Sequence, residues 1–149
     1  MSKLVWKVKT FDELSTKELY QILKARNEVF VVEQNCPYLD TDGTDEKALH
    51  LWAENDGEVW AYCRLFSQGI KYPEASIGRV LTTEKSRGSG VGKQMMVYAV
   101  SCIENVFHTF KIRISAQDYL LEFYGSFGFV DTGKKYLEDD IPHTEMLRS

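Results

Sequence analysis

The chain has 149 residues, 44% of them hydrophobic and 27% charged, and its 18 Lys and Arg against 22 Asp and Glu leave a net charge of −4. This profile excludes general disorder and a generic nucleic-acid footprint, and fits a single globular domain over residues 1–149 with a sizeable core. No apolar run reaches the length of a signal peptide or a membrane span, so a cytoplasmic protein with no membrane partner is expected.

Leu4, Trp6 and Val8 alternate with polar residues and predict a first strand. Ser15 followed by Glu18 has the spacing of a capping box and opens a helix to about Glu28, with Leu19, Ile22, Leu23, Arg26 and Val29 along one stripe. From Phe30 to Leu49 the composition turns acidic, with Pro37 and Gly43, and predicts a structured loop or short helical turns. Asp56-Gly57 suits a type I′ turn joining strands from His50 to Asn55 and from Glu58 to Phe66. A further strand, Ala75 to Thr82, leads into a glycine-rich turn and a long helix from about Gly90 to Phe107. Lys111 to Ala116 reads as a strand and Tyr119 to Phe127 as a helix closed by Gly128. Strands follow from Phe129 to Gly133 and from His143 to Leu147. This order predicts an α/β sandwich with a mixed sheet, and a right-handed crossover makes the strands flanking the long helix parallel.

Three cysteines, Cys36, Cys63 and Cys102, show neither a CxxC pair nor zinc-ligand spacing, so no disulfide or metal site is expected. Cys63 and Cys102 fall at core positions; Cys36, beside Pro37, is the one expected to be exposed.

The chemistry concentrates at Arg87-Gly88-Ser89-Gly90-Val91-Gly92-Lys93, between a strand and a helix. Glycines there let the backbone approach a ligand, while free amides, the helix dipole and the Arg87 cation act on one anion, favouring phosphate. A Walker A loop is disfavoured because Arg87 and Gln94 stand where it needs Gly and Ser or Thr. A dinucleotide fingerprint from Gly88 fails at Lys93.

The segment Ile77 to Met96, with Arg87, Gly90 and Gly92 in the pattern Arg/Gln-x-x-Gly-x-Gly/Ala, resembles the acetyl-CoA signature of the Gcn5-related N-acetyltransferases (GNAT). Gln117 to Phe129, with Tyr124 seven residues after the amide and then Gly128-Phe129, is similar to that family's second signature, with Gln in place of the commoner Asn. Val29 to Tyr38, Asp40-x-Asp42, His50 and Ile141-Pro-His143-x-x-Met146 resemble the ElaA-type branch, so the likeness covers nearly the whole chain.

The resemblance implies a GNAT-like acyl-CoA N-acyltransferase fold: a mixed, mostly antiparallel sheet with a central parallel pair splayed for CoA and helices on both faces. It implies acetyl-CoA as co-substrate, with backbone groups of Val80, Leu81 and Thr82 meeting the pantetheine arm and thioester. The amides from Gly88 through Ser89, Gly90, Val91 and Gly92 to Lys93, with Arg87, would hold the pyrophosphate, and Gln117 would contact the cofactor. Activity would be direct transfer of acetyl to a primary amine, small molecule or protein, in a ternary complex. Tyr124 would serve the leaving thiolate as general acid. For the base, Glu33 in its apolar-flanked run and His50 with its near-neutral titration are both candidates, beside a water chain. Asp40 and Asp42 are expected to shape the acidic loop first and to bind the acceptor second, with attraction of a cationic amine as the loop's further role, and His143 is a support candidate, lining the acceptor cleft or holding the final strand. A non-catalytic acyl-CoA-binding or interaction domain is the alternative reading, a kinase-like phosphate enzyme a third, and a homodimer stays open.

Overall fold

A computed structural model describes residues 4–149. β1 (Val5–Thr10), β2 (Leu49–Asn55), β3 (Glu58–Phe66) and β4 (Ser76–Thr82) form an antiparallel meander in that order. β5 (Ile112–Gln117), β7 (Ile141–Arg148) and β6 (Phe129–Glu138) form a second antiparallel sheet in which β7 is central. The two sheets touch as parallel neighbours at Ala75 and Ile112, where the Arg113 amide donates to the Ala75 carbonyl at 2.8 Å. Beyond that bridge β4 and β5 share no pairing, so the expected splayed parallel pair is present as a seam between two sheets.

Helices cover both faces of the meander because its strands alternate apolar residues to both sides. α1 (Thr16–Arg26) is opened by the expected capping box of Ser15 and Glu18. Ile22, Ala25 and Val29 pack there with Trp52, Val59, Tyr62 and Leu81. On the other face, Met95, Met96 and Ala99 of α2 (Val91–Cys102) meet Leu51, Ala61 and Cys63 of the meander and Ile112, Ile114 and Ala116 of β5. Burying each large aliphatic side chain contributes roughly 1.5–3 kcal/mol, so α2 is the element that joins the two sheets.

Several boundaries differ from the sequence reading. Helical backbone does not stop near Glu28. It continues through Asn27–Glu33 as a π-helical stretch, so the supposed loop begins only after Glu33. α2 ends where the sequence placed it, running on through Ile103–Phe107 as a π-helical turn and stopping at His108, whose φ is +57°. The second short helix is only Leu121–Gly125 (α3), preceded by a 3-10 turn at Asp118–Leu120. Gly133 does not end β6. It sits in a bulge between Asp131 and Lys135, after which pairing resumes to Glu138. Asp139 and Asp140, both at positive φ, make the hairpin turn, a conformation that Asp tolerates without glycine. Asp56-Gly57 makes the turn its sequence predicts, also with both φ positive.

Candidate active site

The seam between β4 and β5 opens into a cavity of about 820 Å³. One wall is β4, where a bulge at Arg79 and Val80 sets two residues against Cys63 of β3 and twists the strand out of register. Arg79 pays for that position with a φ of +49°. The facing wall carries Ile114, Ser115 and Gln117 of β5 with Phe123 and Tyr124 of α3.

One end of the cavity is the glycine turn. Gly88 and Gly90 have φ of +88° and +84°, and Gly90 caps α2 in the left-handed conformation that a side chain would strain. At Gly92 an added Cβ would stand 3.3 Å from Thr82 Cγ2, so glycine permits the close approach of α2 to β4. Ser86 fixes the turn by donating to the Trp60 carbonyl at 2.8 Å, and Ser89 donates to the Ser86 carbonyl at 2.5 Å. Gly92 and Lys93 stand in the first turn of α2, where amides have no intrahelical acceptor, so their N–H groups face outward for an anion. Arg87 donates from Nη2 to Glu33 Oε1 at 2.6 Å and to the Thr82 carbonyl at 2.8 Å.

The other end is closed by the segment after α1, which crosses onto the second sheet. The Gln34 and Gln117 side chains lie 3.4–3.5 Å apart, Cys36 Sγ donates to the Asp139 carbonyl at 3.2 Å, and the Tyr38 hydroxyl donates to Asp140 at 2.8 Å. Glu138, Asp139, Ile141 and His143 complete this end. His143 therefore lines the cavity, a placement that its sequence position in the last strand only suggested.

The remaining residues sort sharply. Val80, Leu81, Thr82, Arg87, Gly88, Gly90, Val91, Gly92, Lys93, Gln117, Tyr124 and Glu33 all line one cavity, with Ser89 immediately behind the turn. His50 does not join them. It is fully buried, with Nδ1 at 2.7 Å from the Tyr62 hydroxyl and Nε2 at 2.9 Å from the Asp45 carbonyl. Burial pushes its pKa down despite the nearby Asp45 groups, so this base candidate is a structural histidine outside the cavity. Cys36 is buried rather than exposed, and burial next to Asp139 and Asp140 pushes its thiol up, away from a reactive thiolate. Tyr124 is buried as well, and burial pushes its phenol well above the ordinary value. Its hydroxyl donates to no group among the described residues, and the side chain lines the cavity.

Asp40 and Asp42 shape the acidic loop, the first role expected of them, and their carboxylates are already paired with cations of the chain. Asp40 accepts from buried Arg26 Nε at 2.6 Å and pairs with Arg79 at 2.8 Å. Asp42 accepts two bonds from Arg64 at 2.8 and 2.9 Å, and Asp45 lies 2.6 Å from Arg26 and 3.1 Å from Arg64. Burial opposes ionisation of Asp42, but the Arg64 and Thr44 bonds outweigh it and hold the carboxyl far below its usual range. Three aspartates are thus spent on three arginines. Arg26, on the apolar stripe of α1, was the sequence signal for this: a charge at a core position needs buried partners.

A family model for the acetyltransferase (GNAT) domain matches residues 13–149. The chain belongs to that family, and its fold is the GNAT acyl-CoA N-acyltransferase fold. Within the family it is ElaA-like. It is 38% identical to the ElaA protein of Escherichia coli K12 over 96% of this chain and 95% of ElaA. It is 39% identical to a UPF0039 protein of a Synechocystis strain over 95% of this chain and 93% of that one. The crystal structure of an acyl-CoA N-acyltransferase from Pseudomonas aeruginosa superposes with a TM-score of 0.93 at 42% identity, covering 99% of this chain and all of that one. Escherichia coli ElaA superposes with a TM-score of 0.91 at 36% identity, with the same coverage. Among the described residues no helix is long and apolar enough to cross a membrane.

Proposed function

We propose that the protein is an acetyl-CoA-dependent N-acetyltransferase that transfers acetyl directly to a primary amine. The observation that carries the reading is the single cavity in which the glycine turn, the open edge of β4 and Tyr124 converge. In it the turn amides from Gly88 to Lys93 hold the pyrophosphate at the N-terminus of α2, and Arg87 exchanges Glu33 for phosphate oxygens. Backbone groups of Val80, Leu81 and Thr82 along the edge of β4 that faces away from β3, left without a β5 partner by the splay, bind the pantetheine arm, and Gln117 contacts it from β5.

Direct attack fits the thiols, none of which is activated. The amine nitrogen attacks the thioester carbonyl, and the departing sulfur accepts a hydrogen bond from the Tyr124 hydroxyl. Because burial raises the phenol, Tyr124 stabilises the thiolate chiefly as a donor and does not surrender its proton in full. Acetyl-CoA should raise the melting temperature where ATP does not; protection by ATP alone would favour a nucleotide enzyme and contradict the assignment.

A further inference from the structure

With His50 buried away from the cavity and Glu33 bound to Arg87, the transfer lacks an assigned proton acceptor. Ile112, Ile114, Ala116 and Met146 turn toward the α2 side of the second sheet, so alternation places Ser115, Gln117 and His143 on its other side. His143 is opposite Gln117 in register, and Gln117 lies as far beyond the Ala75–Ile112 bridge along β5 as Val80 does along β4. The histidine is therefore level with the strand proposed to hold the thioester.

Its ring is held from two directions. It stacks on Tyr136 with centroids 6.2 Å apart and planes 16° from parallel, and Nδ1 is 2.7 Å from the Ile141 carbonyl. A carbonyl oxygen only accepts, so Nδ1 carries the proton and the neutral ring has its lone pair on Nε2. Nε2 lies 3.5 Å from Glu138 Oε2, near enough for charge to be felt but beyond a firm hydrogen bond. Both residues line the cavity.

The geometry points to His143 Nε2 as the general base of the transfer, with Glu138 as a positioning residue that stabilises the imidazolium. The assignment rests on the acetyltransferase reading. As the amine nitrogen bonds to the carbonyl carbon and the C–S bond breaks, the N–H proton passes to Nε2 and the sulfur leaves as thiolate. The imidazolium then gives its proton to solvent and the thiolate takes one up, so amine and acetyl thioester become amide and thiol.

The charged and titratable groups around the ring come from every neighbouring element. β6 contributes Tyr136 and Glu138, and the hairpin turn contributes Asp139 and Asp140, the latter held by Tyr38. Glu145 of β7 is paired with Arg113 of β5 at 2.8 Å, and Cys36 lies against the turn. Tyr72, from the β3–β4 connection, stands beside Tyr136. Of the nearby cations, Arg113 is held by Glu74 as well, at 2.8 Å, and Lys134 of β6 has its Nζ 6.0 Å from the Tyr136 ring centroid.

With three histidines in the chain, nitrogen-15 spectra of wild type and H143Q, each with bound acetyl-CoA, assign the His143 ring. The expected neutral form carries its proton on Nδ1; a proton on Nε2 would overturn the assignment. Thiol release from acetyl-CoA is then followed against pH with phenethylamine and lysine methyl ester as probe amines. H143Q should lose on the order of 100-fold in kcat/KM and lose the acid limb of the profile, with acetyl-CoA affinity within about twofold of wild type. E138Q should move the acid limb to lower pH with a loss of about tenfold or less. Wild type and H143Q with the same kcat/KM and the same limb would remove His143 as base. A wild type that binds acetyl-CoA yet releases no thiol with either amine counts against the transferase reading itself, an outcome distinct from equal turnover of the two proteins.

Discussion

The two ends of the cavity are built in opposite ways. The proposed donor end comes from one stretch of chain, Val80 to Lys93, in which a strand, a turn and a helix N-terminus follow one another. The proposed acceptor end is assembled from three distant stretches: the segment after α1, the end of β5 and the β6–β7 hairpin. A ligand common to many enzymes can be met by local backbone geometry, whereas an acceptor is met by side chains that only the tertiary fold brings together. The supports differ accordingly. Glycines and serine hydroxyls shape the turn, while a buried arginine–aspartate network anchors the acidic loop that reaches the other end.

That contrast can be broken from the acceptor side with the largest effect. Asp40→Asn leaves Arg26 and Arg79 short of their shared carboxylate, and a loss of about 3 kcal/mol in denaturant unfolding is expected. A loss below about 1 kcal/mol would mean that the loop is not held by this network. On the donor side, Gly90→Glu places a carboxylate and a strained φ at the proposed phosphate site. It should weaken acetyl-CoA binding by more than about 100-fold in calorimetry while the melting temperature shows the protein still folded. Retained affinity would put the pyrophosphate elsewhere.

Tyr124→Phe tests the point between the two ends where the proposed transfer takes place. A hydrogen bond to a developing charge is worth about 1.5–3 kcal/mol, so kcat should fall roughly 10- to 100-fold with little change in acetyl-CoA affinity. Turnover equal to wild type across pH would remove that role. The smallest effect is expected of Glu33→Gln, which releases Arg87 from a half-exposed ion pair. Acetyl-CoA should bind up to about fivefold tighter, with kcat unchanged, because such pairs are worth at most about 1 kcal/mol. A collapse of kcat in this variant would restore Glu33 as the base.

The same contrast explains what the sequence made legible. The capping box at Ser15 and the Asp56-Gly57 turn are local signals, and both stand where the sequence placed them. The glycine turn and Tyr124 were readable for the same reason, as contiguous patterns whose residues reach one cavity. The helix after Asn27 was hidden because its π-helical backbone departs from the periodicity that marks an α-helix. Gly133 looked like a strand end, since a bulge and a turn use the same residue type. His50 looked suited to proton transfer because residue type carries no information on burial. Its environment is set by Tyr62 on the neighbouring strand and by the Asp45 carbonyl. Charge composition misled in the same way: five carboxylates between Glu33 and Glu46 look like surplus until Arg26, Arg64, Arg79 and Arg87 are found against four of them.

The central claim is that this cavity brings an acyl thioester and an amine together for reaction, rather than merely holding CoA. Its most direct test is the rate of thiol release from acetyl-CoA as a panel of primary amines is added to the pure protein. The account predicts release that requires both the amine and the folded protein, saturates in each substrate, yields the acetylated amine in equal amount and is lost in Gly90→Glu. Tight CoA binding with no amine-dependent release across the panel would contradict it and leave an acyl-CoA-binding domain on a transferase fold.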